Sequence, residues 1–132
     1  MSGALAVMFV LSLAEVFAAD LKVVDSANTS VTVHEAYIDY GGFSTDRETQ
    51  GIRVHQGEAV VVAKWANIQT VTFTGREASE NQPRLKVDIV LKSGTTISAS
   101  LVAKGRMKLT GKTELGDYVI DLEKVRTIVP IS

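Results

Sequence analysis

Residues 62–71 (VAKWANIQTV) return 57 residues later, without a gap, as residues 119–128 (VIDLEKVRTI). Apolar positions fall on apolar positions: Val62 on Val119, Trp65 on Leu122, Ile68 on Val125 and Val71 on Ile128. Thr70 and Thr127 are identical. Each copy reads as a strand, a tight corner and a second strand. One such unit alone leaves an apolar face in water, so the two copies are expected to pack face to face or to close a shared barrel. The first half covers about residues 30–73 and the second about 85–131, joined by the polar stretch 74–84 (TGREASENQPR). A half of about 55 residues is marginal on its own. Residues 20–132 therefore read as a single domain of two related β units.

The rest of the pattern agrees with an all-β chain. Residues 30–36 and 37–40 are rich in β-branched and aromatic side chains. Residues 51–55 alternate, with Ile52 and Val54 on one face and Arg53 and His55 on the other. After the turn signal Gln56-Gly57, residues 59–63 (AVVVA) read as a buried strand. Residues 68–73 follow a corner, and 85–91 turn Leu85, Val87, Ile89 and Leu91 inward. Ser93-Gly94 is a hairpin turn into residues 95–102, and strands at 107–109, 118–122 and 125–131 complete the set. Period-two alternation in short runs, with a turn about every ten residues, predicts a small antiparallel barrel or sandwich. Pro130 falls in the last strand and is expected at a sheet edge, where no ladder hydrogen bond is lost.

Within residues 91–128, Lys92-Ser93-Gly94, then Thr113-Glu114-Leu115-Gly116-Asp117-Tyr118-Val119-Ile120, then Val125-Arg126-Thr127-Ile128, follow one pattern. It is a strand, a Gly turn, a Thr-x-x-Gly turn, and alternating apolar residues ending in two aliphatics three apart. This pattern resembles a small β repeat of bacterial exported proteins. The resemblance implies a compact barrel-like module in an exported protein, and it transfers no site and no activity.

The N-terminus is read the same way. Residues 4–13 (ALAVMFVLSL) form an apolar run of signal-peptide length, and Val16-Phe17-Ala18-Ala19 offers small residues for cleavage before Asp20. Residues 1–19 are thus expected to be a removed signal peptide, although no Lys or Arg precedes the run and Glu15 sits near the cleavage point. A retained hydrophobic anchor is the alternative. The run is too short to span a bilayer unaided, so no stable membrane span is expected. Export places the chain in the periplasm, on the cell surface or in the medium. The net charge is −1, and Glu15 is the only charge in the first nineteen residues, so the remainder is formally neutral. Nothing global draws it to nucleic acid. The chain has no cysteine, so packing alone must hold it together.

Constellations for chemistry are sparse. His34 and His55 are the only histidines and fall on different predicted strands. A metal site would need them joined by Asp39, Asp46 or Glu35, and two solvated strand histidines are the simpler reading. No serine stands in a nucleophile-elbow context. Asp46 and Glu48 read as part of a hydrated loop. Residues 105–113 carry five residues between their glycines where a phosphate loop needs four, and no helix follows. The chain is therefore expected to be no enzyme and to need no cofactor. Trp65 matches Leu122 in the repeat and reads as core. Tyr37, Tyr40 and Phe43 beside Gly41-Gly42 suit a hairpin packed on the barrel end.

One local charge feature stands out. Residues 84–112 hold seven basic side chains against the single acid Asp88. Lys104, Arg106 and Lys108 are spaced by two, which on a strand puts all three on one face. That face is the candidate ligand site, for a protein or an anionic cell-envelope polymer. The aromatic interleaving that single-stranded nucleic acid would use is missing. The competing reading is a charged edge that keeps a strand unpaired. The expected function is a non-enzymatic exported binding module. The alternative is an assembly subunit that self-associates by strand addition, with residues 21–33 as the donated segment.

Overall fold

The computed structural model describes residues 19–41, 46–77, 84–101 and 107–131. The apolar run at residues 4–13 lies outside them. Alternating short runs become eleven strands: β1 (Ala19–Asp25), β2 (Ser30–Asp39), β3 (Arg47–Glu48), β4 (Gly51–Gln56), β5 (Ala59–Lys64), β6 (Ile68–Glu77), β7 (Arg84–Leu91), β8 (Thr96–Leu101), β9 (Lys108–Thr113), β10 (Gly116–Asp121) and β11 (Val125–Ile131). Two single 3₁₀ turns, Trp65–Asn67 and Leu122–Lys124, make the corners before β6 and β11. The chain is all-β, a single antiparallel sheet curled into a half-barrel. Its order is β10-β9-β2-β1-β11-β6-β7-β8-β4-β5, with β3 paired beside β2.

The order has a dyad at its centre. Moving outward from the β11–β6 pair, one meets β1, β2, β9 and β10 on one side and β7, β8, β4 and β5 on the other. β9, β10 and the second 3₁₀ turn each lie 57 residues after β4, β5 and the first. Registers repeat too: Ile52 faces Ala63 as Leu109 faces Ile120. The Trp65 N–H donates to the Gln50 carbonyl at 2.9 Å, and the Leu122 N–H donates to the Met107 carbonyl at 3.0 Å. The β1–β2 and β7–β8 hairpins correspond at an offset of 66: Val23 faces Val31 as Ile89 faces Ile97. Both turns close with the same bonds, and Asn28 takes the positive φ that Gly94 takes in the other. Val71 pairs with Ile128, its own counterpart, on the dyad.

The two halves are intertwined. The β1–β2 hairpin is followed in sequence by β4, β5 and β6, yet it pairs with β11 and β9. The β7–β8 hairpin pairs in turn with β6 and β4. One apolar core draws on both: Leu21, Val23, Ile38, Leu109 and Ile128 are buried with Ile52, Trp65, Val71, Ile89 and Leu101. The strands of the two units thus interleave in one sheet rather than forming two faces packed on each other.

Three expectations need correction. Residues 59–63 are not buried: β5 ends the sheet and pairs only with β4, so Val60 is 54% exposed, with Val61 and Val62 also open. Pro130 does not lie on an edge strand, since β11 sits between β1 and β6. The paired part of β6 reaches only to Ile128, so Pro130 faces β1 alone and is locally an edge residue. Residues 21–33 are not free to be donated. They form β1, its turn and the start of β2, with Leu21, Val23 and Val33 fully buried.

Candidate functional site

Of the sequence-predicted basic face, the described residues include Lys108 alone. Lys104 and Arg106 lie outside the described residues. Lys108 opens β9, exposed, and stands in register with Asp39 on one neighbouring strand and Asp121 on the other. Directly opposed residues share a face of the sheet, so this cation has an acidic residue in register on each side. Farther along β9, Lys112 pairs with Glu35 at 3.4 Å. Lys86 lies on β7 in the other half of the sheet. The described basic residues of 84–112 thus fall on more than one strand.

The strongest polar cluster lies where β2 hands over to β4. The Arg53 guanidinium donates to Asp46 Oδ1 at 2.8 Å and to Glu48 Oε1 at 3.2 Å, and lies 4.6 Å from the centre of the Tyr40 ring. The Arg53 backbone N–H donates to the Tyr40 hydroxyl at 2.9 Å. Burial raises the Tyr40 phenol to about 12, with Arg53 opposing and the two carboxylates assisting. Arg47 covers Tyr37 in a second, exposed stack, 4.7 Å to the ring centre. β2 and β4 are far apart in sheet order, so these contacts require the curl and hold it. The pair Asp46 and Glu48, read from sequence as a hydrated loop, binds an arginine. Phe43 lies outside the described residues.

The histidines do not converge. His34 Nδ1 lies 3.3 Å from Asp20 Oδ2, both exposed, while His55 lies on β4 in the other half. Among the described residues no three His, Asp or Glu side chains gather as a metal cluster. No helix among them is long and apolar enough to cross a membrane. Trp65 is buried, as its match to Leu122 implies, and its indole N–H has no hydrogen-bond partner among the described residues. It lines a cavity of about 300 Å³ with Lys64, Lys92, Gln50 and Pro130.

The surface that sequence reasoning missed is β5. Its outer edge has no strand beside it among the described residues. Four consecutive apolar residues, Ala59 to Val62, are exposed along it. Beside it an open-sided cavity of about 260 Å³ lies between β4–β5 and β7–β8, walled by Val54, Val61, Ala63, Ile89, Ile97 and Ala99. A signal for this was present in the repeat. The counterpart strand reads GDYVID, with acids at both ends that mark a solvent-facing edge, so residues 59–64 inherit an edge position despite their composition.

Comparison with protein families, with characterised proteins and with solved structures found no match to the chain.

Proposed function

We propose that this chain is a non-enzymatic, exported binding module that takes an extended segment of a partner protein onto the free edge of β5. The observation that carries the reading is the exposed, uncharged run Ala59 to Val62 on a terminal strand. Natural sheet edges are commonly protected by charge, proline, bulges or cover, because an open edge invites pairing. β10, the other terminal strand, has Asp117 and Asp121. β5 has a lysine only at its end. An added strand gains main-chain hydrogen bonds without a conspicuous side-chain motif. Export rests on the apolar N-terminal run and the small residues before Asp20. A protein partner is favoured over an anionic envelope polymer because Lys108 already stands between Asp39 and Asp121.

The assembly reading uses the same edge with a second copy as partner. Selection of random extended peptides on the immobilised chain tests the module. Enriched peptides should lose binding to the double variant Val60→Lys, Val62→Lys, whose changes lie on the solvent face. Enriched peptides that bind both proteins alike would remove β5 as the site. Light scattering tells the partners apart: a monomeric chain keeps a foreign partner, and an oligomer dissolved by the double variant makes the partner a second copy.

A further inference from the structure

The dyad lets one half of the molecule report on what the other half lacks. The counterparts of Val61 and Ala63 are Tyr118 and Ile120, which face Gly111 and Leu109 as Val61 and Ala63 face Val54 and Ile52. Tyr118 and Ile120 pack against the core. Burial, and then the charge of Asp25, raise the Tyr118 phenol's pKa. The counterpart of Asp25 is Leu91, part of the cavity wall beside β5. So on one side of the dyad the chain fills the inner, apolar part of this space with its own tyrosine and isoleucine, leaving there only an open cavity of about 350 Å³ walled by Ser30, Val31, Thr32, Thr113 and Glu114, and on the other side it has a valine and an alanine. The space left over on that other side is the cavity beside β5.

The walls match the vacancy. Ile89, Leu91 and Ile97 stand where the other side has Val23, Asp25 and Val31, three larger or more apolar walls, while Ala99 stands where it has the larger Val33 and leaves room. The strands are also spaced differently. A Cβ on Gly111 would lie 2.4 Å from Val33 Cγ1 and 2.8 Å from the His34 carbonyl oxygen, so β2 lies hard against β9. At the counterpart position Val54 faces Leu101, both buried, and two full side chains fill that contact. At about 260 Å³ the cavity falls below the roughly 300–1,000 Å³ usual for a drug-sized ligand, and suits one ring.

We propose that the cavity beside β5 receives an aromatic side chain, a tyrosine or phenylalanine ring, from the segment that adds to β5. The inference rests on the strand-addition reading and names the side chain that gives it specificity. In strand addition, main-chain bonds hold the segment and pockets for alternate side chains select it. Aromatic anchors in apolar pockets are also where interface energy concentrates.

The probe is p-cresol, the tyrosine side chain alone, titrated into the isotope-labelled chain and followed by amide shifts. Saturable shifts at Val61, Ala63, Ile97 and Ala99 are expected, weakened about tenfold or more in Val61→Tyr, which supplies the ring from within. Ala63→Ile, the other counterpart exchange, gives the same result by a second route if the first variant misfolds. Absence of saturable shifts in the native chain, or equal shifts in both variants, overturns the proposal. Peptides selected on β5 should lose about tenfold in affinity when their aromatic residue becomes alanine. If such peptides bind but neither p-cresol nor the aromatic residue matters, the ring assignment fails and strand addition stands. If p-cresol binds and no peptide does, the cavity is a site for a free phenol and both readings fall.

Discussion

Tyr40 shows how one side chain can tie two distant strands. Its hydroxyl accepts the Arg53 N–H, its ring lies under the Arg53 guanidinium, and its own N–H donates to the Asp46 carbonyl. Tyr40→Phe keeps the ring and strips the acceptor, leaving a part-buried N–H unpaired. The expected loss is about 1–3 kcal/mol in a urea melt. The same residue sets an alkaline limit. In the unfolded chain the phenol ionises near 10, while in the folded chain burial holds the proton to about 12. Between those values the unfolded state has fewer protons, so stability falls as pH rises from 10 through 12 and is whole below 10. The decline amounts to about 2–3 kcal/mol. Tyr40→Phe should flatten the alkaline part of the profile relative to the native chain. Parallel declines in both proteins would show that Tyr40 does not titrate as its burial requires.

At the scale of elements the close approach of β2 and β9 depends on Gly111, where even a methyl group would meet Val33 and the His34 carbonyl. Gly111→Ala is expected to cost about 1–3 kcal/mol through overpacking, read as a lower urea midpoint. An unchanged midpoint would mean that the strands separate freely. The contrast with Val54 also marks what sequence could reveal. The matched corners were legible because a strand, a 3₁₀ turn and a strand need apolar residues at fixed places, and Trp65 and Leu122 keep those places. The inward face of β7 was legible from its alternation. The exposure of β5 was not legible from its own residues, because four apolar residues in a row carry no period and burial depends on whether a further strand arrives; only the acids of its repeat counterpart β10 pointed to an edge. β1 went unrecognised as a core strand because its partner β11 lies at the far end of the chain. The Arg53 cluster was hidden for the same reason: its geometry comes from the curl, which spacing along the chain does not encode. For Lys108, period two could propose a face shared with Lys104 and Arg106 but not the acids in register with it on neighbouring strands.

For the whole molecule, the intertwining of halves has a thermodynamic consequence. If the chain is cut between Glu77 and Arg84, the first fragment keeps β1 and β2 but loses β11 and β9, their partners in the sheet. It also keeps β4 and β6 but loses β8 and β7. The second fragment is left with the mirror image of these losses. A hairpin without neighbours is at best marginal in water, and each fragment would expose the buried face of every strand it keeps. Neither fragment should fold as a monomer. Mixed in equal amounts they should regain the strand signal of the intact chain by circular dichroism. The folded species should have the mass of two fragments by light scattering, whether one of each or two of the same kind, because the dyad allows either half to complete the other. A single fragment that shows native strand content at its own monomer mass would mean that the halves are independent domains. The pairing of β1 with β11 would then not be what closes the fold.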